Sequence, residues 1–211
     1  MLKTILPLAP AIAAGLLLNG LGVAQAPQAP SGTWVPFTAR YIETSTSPYG
    51  AGHQTTRRVA IVETRSRDGS LLSVRSENGQ VTSGSPWDSC GQIFSLDYLQ
   101  KRAVLSRQVP RVHAKPPSVP PTGTQTVAGV SCLVYPIRGD VAGTVCVDQV
   151  DDVILRQQWH LTSGGTQQEY LKDLTSIDFA TPAEASKVSI PAGFTKLVPE
   201  NGSPAGCAAK R

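Results

Sequence analysis

Side chains that alternate in steps of two, interrupted by tight-turn dipeptides, constrain this chain more than any other feature. Val35, Phe37, Ala39 and Tyr41 alternate with Pro36, Thr38 and Arg40, the mark of a strand with one buried face. Arg57 to Ser66 is a second such run, centred on Val59, Ala60, Ile61 and Val62. Asp68-Gly69 follows, then Leu72 and Val74 on a return strand, then Asn78-Gly79. Both dipeptides suit the positive φ angles of two-residue hairpins. No apolar run keeps a 3.6-residue spacing here, so helices are not expected. Short turns join antiparallel strands and cannot make a parallel crossover.

The pattern continues. Gln92 to Leu96 and Ala103 to Arg107 form a further hairpin, and Val109 to Pro121 carries Pro110, Pro116, Pro117, Pro120 and Pro121. Proline lacks a donor and fixes φ, so 109–121 reads as a long loop within one domain. Val153, Leu155, Gln157, Trp159 and Leu161 share a face, Ser163-Gly164-Gly165 turns the chain, and Gln167 to Phe179 returns. Leu171, Leu174 and Ile177 are spaced by three, which fits either a helix or a bulged strand; the bulged strand is the reading adopted. Thr181-Pro182-Ala183-Glu184 is a helix start, with Thr as N-cap, Pro at N1 and Glu at N3, and Pro191 ends that helix. The expectation is eight to ten strands in a mainly β, single antiparallel sheet with one or two short helices. Residues 27–198 form one domain and 199–211 a loose tail.

Residues 1–26 have the form of a signal peptide. Lys3 precedes an apolar stretch from Ile5 to Leu21, and Ala24-Gln25-Ala26 is a small-x-small cleavage site. A spanning helix needs about 20 consecutive apolar residues, and Pro7, Pro10, Asn19 and Gly20 interrupt this one. The expected product is extracytoplasmic, periplasmic or secreted, and not membrane-spanning after cleavage. In that oxidising setting Cys90, Cys132, Cys146 and Cys207 are expected in disulfides, with three connectivities open. Folding residues 130–137 onto 144–149 about Gly139-Asp140 sets Cys132 opposite Cys146, within reach of a bridge. Cys90–Cys207 then follows by elimination.

The later half holds a recognisable arrangement. Val127-Ala128-Gly129-Val130-Ser131-Cys132 leads to Tyr135, and Gly143-Thr144-Val145-Cys146-Val147-Asp148 precedes Ile154-Leu155-Arg156-Gln157. Leu174-Thr175-Ser176-Ile177-Asp178-Phe179 then runs to Ile190-Pro191-Ala192-Gly193-Phe194. Arg65-Ser66-Arg67-Asp68-Gly69 and Gln92-Ile93-Phe94-Ser95-Leu96-Asp97 belong to the same pattern. This resembles uncharacterised secreted bacterial proteins similar to the lipoprotein-carrier (LolA/LolB-like) superfamily. The resemblance implies a strongly curved open half-barrel whose concave face holds an acyl chain or another apolar or amphiphilic ligand. The chain departs from that pattern in having few aromatics and no long helix to plug the barrel.

The residues themselves point to no catalytic motif. His53, His113 and His160 are far apart without i, i+4 partners, and the cysteines lack metal-ligand spacing. Asp148, Asp151 and Asp152 cluster, but the Gly and closing Glu of a calcium loop are missing. There is no G-x-S-x-G elbow. Cys90 reads as a disulfide partner rather than a thiolate, and Glu43, Glu63 and Glu169 as ordinary strand or turn acids. No cofactor and no metal are expected. Candidate cavity-lining residues are Phe37, Tyr41, Leu72, Val74, Leu155 and Trp159. Arg57, Arg58, Arg65, Arg67 and Arg75 lie on adjacent strands as a candidate basic stripe for an anionic envelope component. A nucleic-acid partner is not expected, since no aromatic platform is interleaved. The leading functional expectation is an envelope protein that binds a lipid or other amphiphile on its curved sheet. The alternatives are a structural or interaction module without ligand, and an enzyme of unrecognised type.

Overall fold

The computed structural model describes residues 34–49, 53–109, 118–148, 152–163, 166–181 and 185–198. The leader 1–26, the tail 199–211 with Cys207, and His113 and Asp151 lie outside the described residues. The strands are β1 (Phe37–Tyr49), β2 (His53–Arg65), β3 (Leu71–Glu77), β4 (Gln80–Trp87), β5 (Gln92–Asp97) and β6 (Arg102–Gln108). They continue as β7 (Gly123–Val127), β8 (Val130–Ile137), β9 (Ala142–Val147), β10 (Ile154–Ser163), β11 (Thr166–Asp178) and β12 (Thr195–Leu197). All twelve join one open sheet in the order β12-β6-β5-β4-β3-β2-β1-β11-β10-β9-β8-β7. Two hairpin meanders thus meet where β1 pairs with β11. The segment 109–121 joins β6, beside one edge, to β7 at the other; its residues 110–117 lie outside the described residues.

The turns follow the local chemistry. Asn78 and Gly79 have φ of 50° and 78°, as a two-residue hairpin of right-handed twist needs. Gly69 has φ +85°, and a Cβ there would lie 2.4 Å from Nε1 of Trp34. Glycine is therefore required at that position twice over, by conformation and by space. In the same turn burial pushes the Asp68 carboxyl up, but hydrogen bonds from Ser66 and Ser70 outweigh it and hold the group below its ordinary value.

The helix-like spacing on β11 is a bulge. Tyr41 pairs with Leu174 but Arg40 pairs with Ser176, so Thr175 is the extra residue, and its Oγ1 donates to the carbonyl of Arg40 at 3.0 Å. The insertion lets Leu174 and Ile177, three apart, both face the core beside Tyr41 and Ala39.

The twelve strands exceed the expected eight to ten, and β4, β7 and β12 are the ones given no residue range from the sequence. Pro86 hides β4, because proline lacks a ladder donor. The β3 ladder runs through Pro86 without a break, whereas the β5 ladder keeps only Gly84–Leu96 and Trp87–Ile93. A second correction concerns direction. β12 pairs parallel with β6, because the described residues before it lie over β5 and β6, with Ile190 and Phe194 packed on Phe94, Leu96 and Ala103. The helix expected from Thr181 is, in its described part, a single 3₁₀ turn at Ala185–Val188.

Two apolar clusters hold the sheet. Phe37, Ala39, Tyr41, Val59, Ile61, Leu155 and Leu174 pack with Val127, Cys132, Val134 and Cys146. β7 also lies against β11, so this half of the sheet curls with those residues inside. On the other half Phe94, Leu96 and Ala103 are covered by Ile190 and Phe194 of the segment before β12. Cys132 and Cys146 are bridged, with Cα atoms 5.5 Å apart. The register differs from the expected one: Cys146 faces Val134, so the bridge joins diagonal neighbours. Cys90 is disulfide-bonded as well; its expected partner Cys207 is outside the described residues.

Candidate functional site

Residues directly opposed on adjacent strands share a face of the sheet. Glu43 on β1 faces Val59 on β2 and Lys172 on β11, and Lys172 faces Gln157 on β10. Tyr41, Glu43, Glu63, Arg75, Tyr170, Lys172 and Trp159 therefore lie on one surface, the inner side of the curl. Beyond the apolar cluster this surface is polar and internally paired. Arg75 is ion-paired with Glu43, and the Tyr170 hydroxyl donates to the same carboxylate at 2.9 Å. Lys172 Nζ bonds Glu63 Oε1 at 2.7 Å and sits 4.1 Å from the Tyr41 ring centroid. Trp159 and Tyr170, opposed in the ladder, stack at 4.9 Å and 11°. Further out, Arg57 pairs with Glu77.

Two phenols report how dry this surface is. Burial, then the Glu43 charge and the hydrogen bond to it, push the Tyr170 hydroxyl well above its ordinary value. Tyr41 is pushed up by burial and by the Glu63 charge, against a lowering pull from Arg65. The Tyr41 hydroxyl is buried without a hydrogen-bond partner among the described residues. The arrangement holds charges in matched pairs over an apolar floor. Such a surface can recognise a partner by exchanging ion pairs, and the aromatic stack gives it a rigid, amphipathic edge.

The register divides the six candidate cavity residues. Phe37, Tyr41 and Leu155 are at most 3% exposed and fill the central cluster, and Trp159 stands in the stack. Leu72 and Val74 face Thr64 and Val62, on the opposite side of the sheet. Leu72 packs there with Phe94 and Leu96. The five arginines do not form one stripe either. Alternation sends Arg58 to the face opposite Arg57, Arg67 is exposed in the β2–β3 turn, and Arg57 and Arg75 are ion-paired. Arg65 is only 6% exposed, lies over the rings of Trp34 and Phe37, and donates from Nε to the Val35 carbonyl at 2.8 Å.

His53 and His160 are both exposed, on β2 and β10. Asp148 closes the β9–β10 connection through its backbone N–H to Val153 at 2.9 Å. Tyr170 and Lys172 went unread in the sequence as site residues. The bulge at Thr175 shifts the alternation of β11, so their face could be found only by counting back from it.

Two shallow concavities complete the surface. One, of about 280 Å³, crosses the outer face between Thr44, Thr46, Gln158, His160 and Glu169. The other, of about 290 Å³, lies under the segment before β12 and is lined by Pro86, Phe94, Val188 and Ile190 together with the charged Asp68, Asp88 and Lys196.

No family model matches this chain. No curated protein matches it. Solved structures do resemble it. An uncharacterized conserved protein from Thermus thermophilus aligns with a TM-score of 0.47 and 12% identity, over 76% of this chain and 90% of that one. The MucA/MucB complex of Pseudomonas aeruginosa aligns with a TM-score of 0.45 and 13% identity, over 74% of this chain and 56% of that one. A LolA superfamily protein from Nitrosomonas europaea aligns with a TM-score of 0.32 and 7% identity, over 73% of this chain and 90% of that one.

Proposed function

We propose that this chain is exported and acts in the cell envelope as a non-enzymatic binding module, engaging its partner on the surface of the sheet rather than enclosing an acyl chain. The filled inner face carries this reading. Where a carrier needs a hollow, Phe37, Tyr41 and Leu155 are packed against Cys132, Val134 and Cys146. The adjoining stretch is occupied by the Arg75–Glu43 and Lys172–Glu63 pairs. Ligand sites enclosing most of a small molecule run to about 300–1,000 Å³, and both concavities here fall just below that range and are open.

A second reading has its own observation. The lining of Phe94, Val188 and Ile190 together with the charged Asp68, Asp88 and Lys196 suits the end of one short amphiphile. Titration of the purified protein with a fluorescent fatty acid separates the two. The binding-module reading expects no saturable signal at micromolar probe. Stoichiometric saturation that Phe94→Trp abolishes would replace it with the amphiphile reading.

A further inference from the structure

The β1–β2 hairpin is longer than the sheet beside it. β1 and β2 pair along all of Phe37–Tyr49 and His53–Arg65, but β3 pairs with β2 only from Ala60 to Arg65. No described strand or backbone hydrogen bond occupies the outer side of His53–Val59. This length of extended backbone turns its outward N–H and C=O groups to solvent, and His53 to Arg58 are all exposed. Such an edge is a template for another strand. Its chemistry is one-signed: Arg57 and Arg58 stand on it and no acid does. Arg57 is engaged by Glu77 at the end of β3. Arg58 points to the other face, and no described acid pairs with it.

We infer that His53–Arg58 is a docking edge for an extended, acidic segment of a partner protein, which adds to the sheet as a strand beside β2. Main-chain hydrogen bonds supply the affinity of such an addition, and alternate side chains supply its selectivity. Arg58 selects an acidic side chain on the outer face. A second copy of this chain is a poor occupant, since it brings two further arginines to the same edge and like charges on neighbouring strands repel. The Arg57 and Arg58 pair also guards the empty edge against indiscriminate pairing. This inference rests on the binding-module reading and names where that module binds.

The probe is a blocked heptapeptide alternating glutamate and valine, read by amide hydrogen exchange on the full mature chain. At saturating peptide, exchange at His53–Arg58 is expected to slow at least tenfold, with the rest of the sheet unchanged. Arg58→Glu, on an exposed edge, should leave the melting temperature unaltered and weaken peptide binding at least tenfold. The same peptide N-methylated at alternate backbone nitrogens should not bind, nor should its lysine counterpart. Equal binding of the N-methylated peptide, or unchanged exchange at these residues, overturns strand addition. Concentration-dependent protection without peptide overturns it in favour of self-pairing. Protection confined to β10 and β11 overturns this edge yet leaves the binding-module reading standing; that reading fails instead on bound acyl lipid.

Discussion

Tyr41 carries the plainest residue-level consequence. Its hydroxyl is buried with no partner among the described residues, while its ring lies under Lys172. An unsatisfied buried hydroxyl costs about 1–3 kcal/mol. Tyr41→Phe keeps the ring and removes the cost, so urea unfolding should show unchanged or higher stability. The phenols also set an alkaline limit. Tyr41 and Tyr170 both have folded values raised above the ordinary figure of about 10. Their contribution is complete below that pH and is lost as pH rises from it toward the raised folded values, because the unfolded chain then binds fewer protons. Stability should fall progressively as pH rises above about 10, and less steeply in Tyr41→Phe. Glu63→Gln makes the opposite test. It strands the Lys172 ammonium, whose side chain is 14% exposed, and should cost about 2–3 kcal/mol in the same assay, below the 3–5 of a fully buried pair. The acid at 63 was visible in the sequence, but its partner was not: Glu63 and Lys172 meet across β1, and one-dimensional spacing carries no trace of that.

At the scale of elements, turns were legible where their chemistry is strong and obscure where it is weak. Asp68-Gly69 and Asn78-Gly79 announce hairpins. The β7–β8 turn does not, because Ala128 takes φ 50° before Gly129 at 83°, and alanine is a poor residue for that conformation. β4 was masked by Pro86, and β12 by its length and by a parallel pairing that no hairpin rule anticipates. The bridged hairpin was legible from two cysteines flanking a turn. Its register was off by two residues, since diagonal neighbours can be joined as well as opposed ones. Cys132→Ser should lower stability by about 2–4 kcal/mol, as expected for a loop of this size. An unchanged melting temperature would mean that the β8–β9 pair holds its register without the bond.

For the whole molecule, one open sheet follows from alternation and short turns; it is antiparallel except where β12 joins β6, and its antiparallel part is legible in the sequence. What alternation could not give was which face each strand turns inward. A single bulge reverses the pattern beyond it, and this chain has bulges in β10 and β11 at the same end of the polar surface, between it and the apolar cluster. No bulge intervenes between β1 and Leu72 or Val74 on β3; the register of the β2–β3 hairpin sets these two on the face opposite Phe37 and Tyr41, and alternation alone does not fix that register. Arg65 reads as a surface charge in the sequence but lies buried against Trp34 and Phe37. The connections from β6 to β7 and from β11 to β12 each join strands far apart in the sheet order. The first has no local signal beyond its prolines, and the second has only the helix start at Thr181-Pro182-Ala183-Glu184, which does not say beside which strand the chain lands.

Native mass spectrometry of protein purified gently from its own compartment decides between a bare sheet and a loaded one. The expected species is a chain cleaved after Ala26 whose mass carries no bound acyl group. A stoichiometric lipid adduct, released by organic extraction, would mean that the sheet is a lipid carrier instead.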